Sequence, residues 1–279
     1  MYYLQLAVNG LAQGLVIGLA ALGVTLVFGI ARFANAAAGD SLSFGAYMAL
    51  VGQRLSGSLV VGGLVAVVIG MIVSVLSYKL IFKKLGGRSS VALLVGSIGL
   101  AFLLRGFMGV VFGHQLQFYE VQLTTPYRIG GIIISVIDLQ MAGVAAICLA
   151  AAFGVLYFTS IGRQMRAVAD NPDLARVSGI QPERVMVALW CQVGALTAVA
   201  GLILGIKTVI SPEIGWQMLM PIFAAAILGG IGSPVGAVVA GILLGVAQEV
   251  ATPLVGFTYK IALSFLVILL VLLVRPRGL

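Results

Sequence analysis

The residues that could do chemistry are few and scattered. The chain has one histidine, His114, two cysteines, Cys148 and Cys191, and eight acidic residues in 279. One histidine excludes a multi-histidine metal site. Both cysteines fall inside apolar runs, where a free thiol serves as a small apolar packer. A membrane-embedded enzyme would need a convergent nucleophile, base or metal, and this set offers little toward one. An ion-driven secondary transporter would call for more intramembrane carboxylates than Asp40, Asp138 and Glu249. No G-x-x-x-x-G-K-[ST] phosphate loop occurs, so any ATP chemistry has to come from another chain. No catalytic residue, metal or cofactor is therefore expected in this polypeptide.

The densest polar stretch is Ser160 to Arg184, SIGRQMRAVADNPDLARVSGIQPER, with four of the sixteen Lys/Arg and three of the eight Asp/Glu. It reads as two short helices and a return to apolar sequence. Asp170 and Asn171 are N-cap types, Pro172 suits the first helical position, and Asp173 suits the positive end of the dipole. Gly179 is a C-terminal stop, and Pro182 with Glu183 opens the next helix. A helix from Pro172 to Ser178 is about 10 Å long and marginal on its own. Leu174, Val177 and Ile180 offer apolar contacts, while Ala175 and Gly179 allow close backbone approach. This suits a docking helix for a soluble partner; an ordinary loop with one helical turn is the simpler alternative.

The elements around it are apolar. The chain is 61% hydrophobic and 9% charged, with a mean hydropathy of +1.18. Soluble domains carry roughly 25% charged residues. The apolar runs are long and continuous, which excludes a β-barrel and indicates an all-α polytopic membrane protein. Spans are predicted over 4–30, 40–55, 57–82, 89–113, 137–159, 185–206 and 257–274. The stretch 218–255 is broken by Pro221 and the Gly229, Gly230, Gly232, Ser233, Pro234, Gly236 cluster. Eight or nine transmembrane or half-spanning helices fit, depending on whether 218–230 crosses fully. The whole of 1–279 is expected to form one transmembrane domain with a cytoplasmic loop at 160–184, and no cleavable signal peptide is visible.

The net charge of +8 follows the positive-inside pattern and does not indicate nucleic acid. Arg32, Lys79, Lys83, Lys84, Arg88, Arg163, Arg166, Arg176, Arg184, Arg275 and Arg277 fall on one side, expected to be cytoplasmic together with the C-terminus. Arg54, Arg128, Lys207 and Lys260 fall on the other, where the N-terminus also lies if every short segment crosses. Gly10, Gly14 and Gly18 line one face of the first span for helix packing. Asp40 precedes an apolar helix and is read as its N-cap. Arg105 lies inside a span and either faces a cavity, snorkels, or pairs with Glu120 or Asp40. Trp216 suits an interfacial belt.

Three segments together resemble one family. G-R-x-x-R-A-x-A-x-N-x-x-x-A-x-x-x-G-I, Gly162 to Ile180, is similar to the cytoplasmic coupling loop of bacterial ABC importer permeases, specifically the branched-chain amino-acid (leucine/isoleucine/valine-type) permease family, which includes urea and amide permeases. GLAALGVTLVFGIARFANAAAGD, from Gly18, resembles that family's first helix and following turn. The family usually reads Asn-Phe-Ala-His-Gly-Glu there; this chain has Asn35-Ala36-Ala37-Ala38-Gly39-Asp40. ILGGIGSPVGAVVAGILLG, from Ile227, resembles its late glycine-rich segment.

The resemblance implies a permease subunit of a binding-protein-dependent importer in the bacterial inner membrane. It implies a second permease, usually homologous and non-identical, two cytoplasmic ATPases carrying ATP and Mg, and a periplasmic or extracellular binding protein. ATPase coupling would then fall to Gly162, Arg163, Arg166, Ala167, Asp170, Asn171, Leu174, Ala175, Val177 and Gly179. Helix breaks at mid-membrane can expose polar backbone to a solute. They point to Asn35, Asp40, Ser41 and Ser43, and to Gly229, Gly230, Gly232 and Ser233, as translocation-pathway candidates. Close glycine packing is the alternative for both. The expected solute is a branched-chain or other amino acid. Urea, short amides or a small organic acid are the alternatives, with ion-coupled secondary transport or a passive channel as rivals of another class.

Overall fold

A computed structural model describes residues 2–121, 127–129, 132–256 and 260–274. The first span is α1 (Tyr2–Ala31). It is followed by α2 (Ala38–Ser56) and α3 (Leu59–Ser77), which runs through a π-helical turn (Tyr78–Phe82) into α4 (Lys83–Leu85). Then come α5 (Ser90–Phe112), a short antiparallel hairpin of β1 (Tyr127–Ile129) and β2 (Ile132–Ile134), and α6 (Val136–Phe158). The polar elbow is α7 (Ser160–Asp170) and α8 (Pro172–Val177). The chain ends with α9 (Pro182–Lys207), α10 (Ile214–Leu228), α11 (Pro234–Val255) and α12 (Lys260–Val274).

Among the described residues, six helices are long and apolar enough to cross a membrane. With α2, α10 and α12 they make nine spanning or half-spanning helices, at the upper end of the expectation. Helix α10 has 15 residues, about 22 Å at ~1.5 Å per residue, which is short of a ~30 Å hydrocarbon core. It is a half-span. Pro221 lies inside α10 and does not break it. This corrects the expectation: packed membrane helices tolerate proline because neighbours satisfy the freed backbone groups.

Small residues set the helix spacing. Helix α1 lies on α11 with its glycine face inward. A Cβ on Gly14 would sit 2.6 Å from Ile242 Cα, and one on Gly241 2.6 Å from Gly18 Cα. With no hydrophobic drive between helices in lipid, such close backbone approach supplies the packing energy. Helix α2 is the buried centre, wrapped by α3, α5, α9 and α10. Gly45 abuts Ala198 on α9 and Gly52 abuts Gly62 on α3.

The two ends of the bundle carry different charge. Arg32, Lys83, Arg88, Arg163, Arg166, Arg176 and Arg184 lie at the end that holds α7 and α8, while Arg54 and Lys207 lie at the other. Arg275 and Arg277 fall outside the described residues, as do Phe257 and the side chains of Arg128 and Lys260. At the far end, Arg54 donates to Gln117 Oε1 at 2.5 Å, Lys207 pairs with Asp138 at 3.0 Å, and Gln117 and Ile210 exchange backbone bonds. Gln53 Nε2 donates to the Glu120 carbonyl at 2.6 Å, and Tyr119 Oη donates to the Ala46 carbonyl at 2.8 Å. These bonds strap the segment after α5 across the top of α2.

Candidate functional site

The elbow is built by local sequence. Thr159 caps α7 by accepting from Gly162 N–H. Gly162 is required because a Cβ there would overlap the Val155 and Leu156 carbonyls. The buried face of α7, Gly162, Met165 and Val168, packs on α1, α6 and α9. Asn171 caps α8, its Oδ1 accepting from Asp173 N–H at 3.1 Å and Leu174 N–H at 3.0 Å, with Pro172 at the first helical position. Gly179 ends α8 at φ +83, and Ile180 N–H returns to the Ala175 carbonyl at 3.0 Å. That left-handed position is the one a glycine takes without steric cost.

What α8 shows outward is apolar. Leu174 is 64% and Val177 86% exposed, while Ala175 is buried against the bundle. Arg163, Asp170 and Asn171 are also exposed, and Ala167 is half-buried. Arg166 is tied inward: its Nη1 donates to the Leu156 carbonyl at the end of α6, and its guanidinium lies 5.6 Å from the Tyr157 ring centroid.

A residue outside the expected set joins the elbow to α1. Arg32 has φ +57, the one positive value at a non-glycine among the described residues. Its Nη2 donates to the Ala169 carbonyl at 3.0 Å and the Asp170 carbonyl at 3.4 Å. It thus neutralises the C-terminal dipole of α7. A left-handed, non-glycine residue is strained by about 1–3 kcal/mol and persists only where its surroundings hold it. No local sequence pattern marks this role, because the partner carbonyls lie 137 residues downstream.

From Arg32 the chain folds back into the bundle. Phe33 is buried in an aromatic stack, with centroids 5.0 Å from Phe82 and 6.5 Å from Trp190. Trp190 in turn stacks on Phe82 at 4.7 Å and Tyr78 at 6.2 Å. Asn35, 3% exposed, accepts from Ala37 N–H at 3.1 Å. Ser97 Oγ accepts from Ala36 N–H at 3.0 Å. Ser97 is two turns inside α5, roughly 10 Å from its start at ~1.5 Å per residue. Helix α2 therefore begins within the bundle.

Two helix starts meet there. The N-terminal turns of α2 and α10 touch backbone to backbone: a Cβ on Gly215 would overlap the Gly39 carbonyl, and one on Gly39 the Gly215 carbonyl. Ser43 Oγ accepts from Gly215 N–H at 2.8 Å. Asp40, fully buried, accepts from Arg105 through a two-pronged pair, Nε to Oδ1 at 2.9 Å and Nη2 to Oδ2 at 3.1 Å. The Arg105 guanidinium also lies 4.7 Å from the Trp216 ring centroid.

This corrects one expectation. Asp40 is not an N-cap: Ala37 holds that position without a side-chain bond, and the carboxylate turns to Arg105 instead. Burial leaves an ionised carboxylate no alternative to a charged partner. Trp216, the candidate for an interfacial belt, lies over the Arg105 guanidinium. Ser41 donates to the Ala37 carbonyl at 2.8 Å and is half-buried.

The glycine cluster also lies elsewhere than at mid-membrane. Gly229 is closed on Gly236, Gly230 and Gly232 have φ +89 and +90, and Ser233 caps α11 by accepting from Gly236 N–H at 3.2 Å. The turn sits at the basic end, near Gly29. Gly232 lines a cavity of about 540 Å³ there with Thr25, Arg32, Tyr157 and Arg166. The chain enters the bundle before α10, over 208–213, where Ile210 is bonded to Gln117 at the far end and Gly215 reaches Ser43.

Comparison with known proteins agrees with this architecture. The chain is 29% identical to the high-affinity branched-chain amino acid transport system permease protein LivH of Escherichia coli, with all of this chain and 95% of that one aligned. It is 31% identical to the corresponding BraD protein of Pseudomonas aeruginosa, covering 99% of this chain and 95% of that one. Among solved structures, PsaBC from Streptococcus pneumoniae in complex with Fab superposes with a TM-score of 0.52 at 16% identity, over 99% of this chain and 93% of that one, which supports the fold. The family model for the branched-chain amino acid transport system permease component matches residues 6–274, and the chain belongs to that family of multi-pass membrane permeases.

Proposed function

We propose that this permease imports a branched-chain or similar amino acid through the bacterial inner membrane, with α7 and α8 on the cytoplasmic side receiving the push of partner ATPases. The relatives named above are transport permeases for branched-chain amino acids, which supports the solute class. The basic residues gathered at the elbow end support a cytoplasmic placement of that end. A second permease completes the pore, two ATPases carrying ATP and Mg dock on the elbows, and a binding protein delivers the solute at the far end.

The observation that carries the reading is α8 itself. A six-residue helix, capped at both ends, shows Leu174 and Val177 to solvent. So short a helix is unstable alone, and exposing two large apolar side chains on it gains nothing unless another surface covers them. The elbow is anchored behind by Gly162, Met165 and Val168 and by the Arg32 bond, so a force on α8 is transmitted to α1, α6 and α9.

Leu174→Asp and Val177→Asp test this. Both positions are exposed, so the permease should fold and insert normally. Co-purification of the ATPases and ATP-dependent leucine uptake in proteoliposomes should each fall at least tenfold. Wild-type values for both in both variants would reject the docking role, and leucine uptake that survives without the ATPases would favour an ion-coupled transporter.

A further inference from the structure

We propose that Arg105 receives the carboxylate of the transported solute; this deepens the importer reading above and rests on it. Arg105 is in α5, seven residues before its end at Phe112 and so roughly 10 Å inside it at ~1.5 Å per residue. The surrounding face of α5 is apolar and open, with Phe102 at 58%, Leu103 at 61% and Phe107 at 49% exposure. A guanidinium within a membrane helix faces the bundle interior or a water-filled cavity and not lipid.

Asp40 balances the charge but uses only part of the guanidinium. The ion pair occupies Nε and one Nη2 hydrogen. Among the described residues no hydrogen-bond acceptor meets Nη1. The exposure of the pair is one-sided, 19% for the Arg105 side chain and none for Asp40. What is exposed of the pair therefore belongs to Arg105 and not to the carboxylate. Trp216, 44% exposed, lies at 4.7 Å and Phe102 at 5.5 Å from the same guanidinium carbon. These rings hold its position and leave an apolar surface beside the open donors.

That combination selects a ligand. The remaining N–H donors match the oxygens of a carboxylate, and charge assistance makes such bonds about twice as strong as neutral ones. An ammonium or metal cation would be repelled, and a neutral amide offers one uncharged acceptor. The fitting class is a small carboxylate with a compact apolar group, carried as a zwitterion or a monocarboxylate.

The experiment uses the purified permease–ATPase complex in phosphatidylcholine, without binding protein and without anionic lipid. Binding of labelled leucine is measured, with leucinamide as competitor, for the wild type and for the Asp40→Asn/Arg105→Gln double variant. The double variant keeps a neutral hydrogen-bonded pair in the bundle, and ATPase co-purification and melting temperature check its fold. Wild type should bind leucine and discriminate against leucinamide at least tenfold. The double variant should lose at least tenfold in leucine affinity together with that discrimination. Arg105→Lys, which keeps the charge but not the fork, should lose at least threefold. Leucine binding unchanged in the double variant, or equal competition by leucinamide in the wild type, would overturn the proposal while ATP-driven leucine uptake by the wild type left the importer reading standing. Absence of that uptake is the separate result that would remove the importer reading, and this proposal with it.

Discussion

Arg32, one residue past the end of α1, donates to the carbonyl of Ala169 at 3.0 Å and so ties the first span to the last turn of α7. The bond crosses 137 residues of chain and is made from a left-handed backbone at φ +57. The next residue, Phe33, enters the aromatic stack on Trp190 and Phe82, and Asn35 and Ala36 follow into the bundle. A displacement of α7 thus reaches the start of α2 through five consecutive residues. Their linkage is physical contact, which makes it open to mutation.

Arg32→Gly relieves the backbone strain and removes the guanidinium in one change. The permease should remain folded, and ATPase co-purification should stay near wild type, because α8 keeps its cap and its exposed face. Leucine imported per ATP hydrolysed should fall at least threefold. A normal ratio would mean that the bond to Ala169 transmits nothing.

Asn171→Ala should fray α8. Loss of an N-cap costs about 0.5–2 kcal/mol, and here it releases two N–H groups, those of Asp173 and Leu174. ATPase affinity should fall by roughly two- to thirtyfold, the same free energy at ~1.4 kcal/mol per tenfold. Asn171→Ser should restore most of it. Titration of purified ATPase onto the permease in nanodiscs measures both.

Gly215→Ala should destabilise the junction of α2 and α10, where the added methyl would overlap the Gly39 carbonyl. Overpacking of a well-packed interior costs about 1–3 kcal/mol, and backbone is less able than a side chain to move aside. Gly99→Ala is the control, since nothing lies within 4 Å of a Cβ there. Thermal unfolding in detergent should separate the two by several degrees.

Asp40→Ala should cost about 3–5 kcal/mol, because it strands Arg105 in the bundle. Asp40→Leu combined with Arg105→Met should recover most of that stability by removing both charges. Melting curves of the single and double variants give the comparison.

The sequence made legible what depends on neighbours along the chain. Asn171, Pro172 and Gly179 predicted α8 within a residue, because caps and stops are local chemistry. Gly10, Gly14 and Gly18 predicted a packing face, because a four-residue period lines one side of a helix. The reading of Asp40 failed for the opposite reason. An acid before an apolar run looks like a cap, and the structure instead forms the Asp40 pairing that was one of the alternatives for Arg105, 65 residues later. The role of Arg32 is not legible for the same reason, since distant carbonyls define it; the break before α10 is legible as the polar gap between the spans at 185–206 and 218–255, but its packing on Gly39 and Ser43 is not. Pro221 looked like a break because propensity was read without the neighbours that offset it.

The central claim is that α8 is the contact for the ATPases, and Val177, 86% exposed on it, is the place to ask. With Val177→Cys carrying a short thiol-linked photo-crosslinker in the assembled complex, irradiation should join the permease to an ATPase subunit in high yield, and ATP should change that yield. Adducts only to lipid, or none to an ATPase in a complex that still imports leucine, would contradict the account.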